Sequence, residues 1–195
     1  VVLSRLGQVA QAAPHLASAV RLEPNNAAYH FALARRLASM ARFEQAIVHY
    51  NRARFLDPRN VEAHVDAATL MEMRGDVREA RHAITRALEV DPRHARARTM
   101  GMRLEFRMGP PGAEALGVWA GDLRAIADDA AAPLTRALAL DALIDVAEAR
   151  EEYDRAWEAI GECNETDRAM CAGALPGPQH REGYLSMIKA LGDFM

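Results

Sequence analysis

Cysteine is almost missing from this chain. Cys163 and Cys171 are the only two among 195 residues. Two cysteines cannot build a disulfide framework, and a reducing cytoplasm is the expected compartment. No stretch approaches the roughly 20 consecutive apolar residues that a membrane-crossing helix needs. The N-terminus, Val1-Val2-Leu3-Ser4-Arg5, has no charged region ahead of an apolar core, so it does not read as a signal peptide. An initiator Met is also missing, and the expectation is a fragment that begins inside a longer protein. Lysine is reduced to Lys189 among 24 basic residues, a bias that points to a GC-rich bacterial genome. Aromatics make up only 6% of the residues. The formal net charge of -3 does not suit a polyanion binder, and no nucleic-acid partner is expected. The charge is uneven: residues 1–94 hold 13 arginines and 10 acids, whereas residues 95–195 hold 11 basic and 17 acidic residues.

What the chain does have is alanine and a period. Alanine is the best helix former and lets helices approach closely. Pro24, Pro58 and Pro92 are 34 residues apart, each preceded by an acid: Glu23, Asp57 and Asp91. Ala12, Ala46 and Ala80 keep the same spacing, as do Ala19, Ala53 and Ala87. Leu16, Tyr50 and Ile84 hold a large side chain in register, and Asn26 and Asn60 recur. Each Asn stands just before a helical run, where it can cap the free N–H groups of the first turn. The spacing predicts a first helix near 27–40 and 61–74, a short turn, and a second helix near 43–56 and 77–90. Ala46 and Ala53, like Ala80 and Ala87, then share one helix face, which demands close packing. Proline ends the second helix, because its ring forbids continuation.

These residues resemble tetratricopeptide repeats. The copy at 27–60 places Leu33, Ala34, Leu37, Ala46, Tyr50, Ala53 and Pro58 at the family's signature positions. The copy at 61–94 does so with Ala67, Ala68, Met71, Ala80, Ile84, Ala87 and Pro92. In both, histidine (His30, His64) replaces the family's early tryptophan. The resemblance implies an all-α, right-handed superhelical stack of antiparallel helix pairs. Its expected organisation is a partial repeat at 1–26, repeats at 27–60 and 61–94, a degenerate repeat at 95–132 and a last repeat at 133–171. A linker and a C-terminal capping helix are expected in 172–195. Gly109-Pro110-Pro111-Gly112 interrupts the period, and the stack is expected to bend or loosen between residues 108 and 133.

Candidate chemistry is sparse. The histidine pairs His15/His49 and His30/His64 are explained by the period, and no His-Glu-x-x-His or zinc-spaced Cys/His set occurs. No metal or cofactor is expected. Cys163 falls where the repeat wants a small packed residue, and a nucleophilic role would have only His180 as its base. Gly109–Gly112 lacks the Gly-Lys-Ser/Thr ending of a phosphate loop. No catalytic residue is assigned, and the chain by itself is not expected to be an enzyme.

In the resembled family the first helices line an inner groove. Register places Arg35, then Glu62, Asp66 and Glu72, then Arg96, Arg103 and Arg107, then Asp141, Asp145 and Glu148 along it. Two readings stay open: these residues bind a partner, with arginine suited to carboxylate or phosphate, or they pair with one another. The family's clamp for chaperone C-termini is disfavoured, because its Lys and Asn are missing. The expected function is a scaffold that binds a peptide or protein along this surface, with no membrane partner and no assigned oligomeric state. The alternative rests on Glu152–Asn164, which resembles the last repeat of bacterial sulfotransferases carrying N-terminal tetratricopeptide repeats. That resemblance implies a non-catalytic arm that presents the acceptor or mediates assembly, ahead of an α/β domain outside this chain.

Overall fold

The computed structural model describes residues 13–170, and these form nine helices with no strand. The first, α1, covers residues 13–22. It is followed by α2 (Ala27–Ser39), α3 (Phe43–Leu56), α4 (Val61–Arg74), α5 (Val77–Val90) and α6 (Ala95–Met108). The chain continues through α7 (Ala113–Asp129), α8 (Pro133–Ala149) and α9 (Tyr153–Met170). The expected capping helix in 172–195 lies outside the described residues.

The caps explain where the helices begin. Asn26 Oδ1 accepts the N–H groups of Ala28 and Tyr29 at 3.1 and 3.3 Å, and Asn60 Oδ1 accepts that of Ala63 at 3.0 Å. Thirty-four residues beyond Asn60 stands His94, whose Nδ1 accepts the N–H of Ala97 at 3.3 Å. A ring nitrogen thus replaces the amide oxygen in the third copy. The turns between paired helices also repeat. Gly75 enters the left-handed region at φ 93, and the Asp76 N–H reaches back to the Met71 carbonyl at 2.9 Å. Ala41 holds the equivalent place at φ 58, with the Arg42 N–H bonded to Leu37 O at 2.9 Å. Glu151 does the same between α8 and α9.

Small residues bring the paired helices together. Ala46, Ala53, Ala80 and Ala87 are all fully buried, as the seven-residue spacing on one face requires. Leu33, Leu37, Ile47, Tyr50, Met71, Ile84, Met100 and Leu104 fill one continuous core across α2 to α6. The histidines that stand in for tryptophan are buried in it. His30 and His64 donate from Nε2 to the carbonyls of Pro24 and Pro58, at 3.1 and 3.0 Å, so each tethers a helix to the loop before it.

The stack changes character after α6. Within the repeats, α2 lies against α3, α4 against α5, and α8 against α9. By contrast, α6 barely touches α7; it lies against α5 and α8, while α7 pairs with α8. The apolar interior divides accordingly. Leu116, Leu123, Ala142 and Val146 form one cluster, and Ile126, Ala127, Leu140 and Ala159 another. Pro110 and Pro111, between Gly109 and Gly112, prevent α6 from continuing into α7.

Candidate functional site: the concave groove

A groove of about 860 Å³ runs along the inner face. Phe31, Arg35 and Ala38 of α2 and Tyr50 of α3 form one side; Glu62, Asp66, Thr69 and Leu70 of α4 form its middle. His94 and Arg96 border it from α6 and its cap, and Ala132, Leu134 and Thr135 close it where α8 starts. The floor is apolar and aromatic, with the Phe31 and Tyr50 rings tilted at 6.0 Å.

The groove's charges interlock. Arg96 donates from Nη1 to Glu62 at 2.6 Å and from Nη2 to Asp66 at 2.8 Å, so one planar fork ties two carboxylates one helical turn apart. Asp66 also accepts the Tyr50 hydroxyl at 3.4 Å. Burial first, and the Asp66 charge second, push the Tyr50 phenol well above its ordinary value, so it remains a donor. His94 spends Nδ1 on its cap, which leaves Nε2 to donate to Glu62 at 3.1 Å. Arg35 stands apart. Its Nε is 4.0 Å from Asp66, its side chain is 67% exposed, and its guanidinium lies 5.8 Å from the centre of the Phe31 ring.

Further along, Glu72 is nearly buried, with its side chain 4% exposed, and accepts from both Arg103 and Arg107 at 3.0 Å. Arg103 extends to Asp141 on α8 at 3.4 Å. Asp145 faces Met102, Phe106 and Trp119 between α6, α7 and α8. Its carboxyl is raised by partial desolvation first, then by Asp141 and Glu148, with Arg103 and Arg107 opposing.

The structure therefore gathers Arg35, Glu62, Asp66 and Arg96 at one groove, and joins Arg103, Arg107 and Asp141 through Glu72 into a second network. Arg96, Arg103 and Arg107 are engaged with carboxylates of the chain itself, whereas Arg35 keeps its outer nitrogens toward solvent. Sequence reasoning passed over Tyr50, His94 and Leu134. Tyr50 was visible only as the one member of Leu16, Tyr50 and Ile84 that carries a hydroxyl. His94 was visible as the third term of the series Asn26, Asn60, His94. Nothing in the sequence pointed to Leu134, whose place depends on how α8 returns to α6. Cys163 is partly buried with its thiol 3.9 Å from the Ala137 carbonyl, and desolvation raises it above the ordinary thiol value. Among the described residues no group of three or more His, Cys, Asp or Glu side chains could hold a metal ion. No described helix is long and apolar enough to cross a membrane.

Known proteins agree with this architecture. Residues 37–101 match the family model for the tetratricopeptide repeat. The crystal structure of MamA is similar with a TM-score of 0.63 at 16% identity, over 85% of this chain and 92% of that one. A MamA fragment, residue 41 to the end, from Desulfovibrio magneticus RS-1 gives 0.60 at 17% identity, over 85% and 89%. A chain of the APC/C hetero-tetramer Cut9-Hcn1 gives 0.68 at 13% identity, over 82% of this chain and 31% of that one. At these identities the likeness is one of fold. No curated protein is similar to the chain in sequence. The chain is an all-α helical-repeat solenoid whose residues 37–101 match the tetratricopeptide repeat, and nothing in these likenesses parallels the resemblance of residues 152–164 to sulfotransferase repeats.

Proposed function

We propose that this chain is a non-catalytic interaction module that takes an extended peptide or a segment of a protein partner into its concave groove. The observation that carries this reading is the composition of the groove itself. An apolar floor of Phe31, Tyr50, Leu70 and Leu134 is bordered by charges that are already paired, and one exposed cation, Arg35, stands beside it. The floor offers burial for side chains of a bound segment, and Arg35 offers two free donors for a carboxylate on it. Arg96 then organises the groove by holding Glu62 and Asp66 in place. The bacterial cytoplasm is the setting proposed for it.

The test compares capture of a partner by the chain and by two sets of variants. Phe31→Ala with Arg35→Ala should abolish capture with the helical signal unchanged. Phe55→Ser, on the exposed outer side of α3, should leave it intact. Capture that survives the groove variant and fails in Phe55→Ser moves the site to the outer face.

A second reading concerns parentage. The likeness of residues 152–164 to the terminal repeat of bacterial sulfotransferases makes the chain an arm that presents the acceptor or mediates assembly. The downstream coding sequence tests it. A strand and a Gly-x-x-Arg-Ser-Gly-Thr loop should follow, and any other continuation refutes this parentage without touching the groove.

A further inference from the structure

The repeat period supplies an internal control that exposes a second site, away from the groove. At the junction of the first and second copies, His30 and Arg52 both find side-chain partners. His30 Nδ1 lies 3.0 Å from His49 Nδ1, and Arg52 Nη2 donates to Asn25 Oδ1 at 2.7 Å. Since Nε2 of His30 donates to Pro24, its Nδ1 must accept here, and His49 supplies the proton. At the next junction the two basic residues return as His64 and Arg86, but the side-chain partners of the first junction do not, and Arg86 turns instead to Glu89 on its own helix. His49 becomes Ala83 and Asn25 becomes Arg59. Two apolar positions change as well: Val20 becomes Arg54 and Val48 becomes His82.

The result is a cationic cluster without a counter-charge at its centre. Arg54 is partly buried; its Nε and Nη1 are sealed from solvent and meet no acceptor. His64 is 5% exposed and its Nδ1 is likewise unpartnered. Arg54, Arg86 and His82 are the charged groups that act on the His64 ring, and all three oppose its protonation. Burial alone lowers Arg54, with no carboxylate to offset it. Arg86 donates from Nη1 to Glu89, three residues further along its own helix, and both are about half exposed, so this pair is weak and open to competition by a stronger anion. Leaving a guanidinium desolvated without an anion is costly, and the first junction shows that the repeat does not require it. None of these residues lines the groove.

We infer that Arg54, His64, His82 and Arg86, at the junction of α3, α4 and α5, form a binding site for a doubly charged oxyanion of the phosphate type. The anion approaches the open edge of the Arg54 guanidinium, between the exposed His82 and Arg86. Because guanidinium charge is delocalised, an anion at that edge offsets the charge of the whole group. A phosphate carries close to two negative charges and several acceptor oxygens, which matches two arginines and the His82 ring better than a single carboxylate does, and His64, whose Nε2 is spent on Pro58, joins by taking a proton on Nδ1. Free phosphate and a phosphorylated side chain share this chemistry.

Calorimetric titration of the 195-residue chain with inorganic phosphate, against chloride at equal ionic strength, tests the site. Saturable phosphate binding is expected, with none for chloride. Arg54→Val, which restores the residue of the first copy, should weaken it at least about tenfold, the loss of one charge-assisted contact. Arg86→Gln, a solvent-exposed change that leaves packing alone, should do likewise. Arg52→Gln, the equivalent change at the first junction, should have no effect. Ring NMR adds a readout in the native chain: phosphate should raise the pH at which His64 titrates. A Gly-phosphoserine-Gly peptide distinguishes the source, binding more tightly than phosphate if the natural ligand is a modified side chain and less tightly if it is free phosphate. Equal responses to chloride and phosphate, or unchanged binding in both Arg54→Val and Arg86→Gln, overturn the site.

Discussion

His64 donates its Nε2 proton to the carbonyl of Pro58, 3.0 Å away and six residues upstream, deep in the core of the stack. The family's tryptophan can donate from its indole at such a place, but it cannot titrate. Histidine keeps the donor and adds a proton equilibrium. Burial, ahead of every other influence, lowers the His64 pKa below 6.5, even though the Pro58 bond opposes the shift. His49 is lowered too, by burial first and by His30 second.

A pH dependence of stability follows. The unfolded chain takes up these protons near pH 6.5, while the folded chain resists them until lower pH. The stabilising difference is fully present above pH 6.5 and is lost as pH falls from there through the depressed folded values. Urea midpoints should therefore fall between pH 7.5 and 5. His64→Gln, which retains a donor but cannot gain a proton, should flatten that slope; an unchanged slope in this variant would remove His64 from the account.

Ala41 offers a stabilising change. Its φ of 58 lies in the left-handed region, where the Cβ of an L-residue is crowded, and Gly75 holds the equivalent turn of the next copy at φ 93. Ala41→Gly should raise stability by about 0.5–1 kcal/mol, the relief of strain less the added freedom of the unfolded chain. Thermal melting measures it. A lower midpoint would show that the turn tolerates alanine at no cost.

Glu72 should matter more than any exposed acid of the inner face. Its carboxylate is almost wholly buried, whereas Arg103 and Arg107 on either side reach solvent. Glu72→Ala should cost about 2–4 kcal/mol, because it leaves two cations crowded beside an apolar void. Asp141→Ala, which releases only the exposed end of Arg103, should cost less than about 1 kcal/mol. Equal effects in denaturant titrations would show that burial does not set how much each acid of this network contributes.

The divided core predicts uneven dynamics. Residues 109–112 join two helices that hardly touch, and they donate almost no backbone hydrogen bonds outside the helices. Their amides, where present, should exchange orders of magnitude faster than residues 77–88, whose face is buried through Ala80, Ala83, Ile84 and Ala87. Matching rates at 109–112 and 77–88 would show that the interruption is as tightly held as the repeat.

The amino-acid sequence by itself determined the helices and their pairing through residue 94. It did so because every device acts within a few residues of chain: Asn26 and Asn60 cap, Gly75 turns, Pro58 and Pro92 stop, and Ala46 and Ala80 permit close approach. A period of 34 then multiplied each local signal until the architecture was legible. The tertiary structure alone decided the rest. Spacing put α6 and α7 into one degenerate repeat, yet they splay, because contact between them depends on where α8 returns rather than on their own residues. Register placed Arg35, Arg96, Arg103 and Arg107 along one face, but not which of them would be spent on Glu62, Asp66 and Glu72. That division depends on side-chain reach across helices 30 or more residues apart in the chain, and so does the isolation of Arg54. Periodicity announces what recurs. The charges left without partners at the second junction are a departure from it, and their cost becomes visible only where burial and neighbours are known.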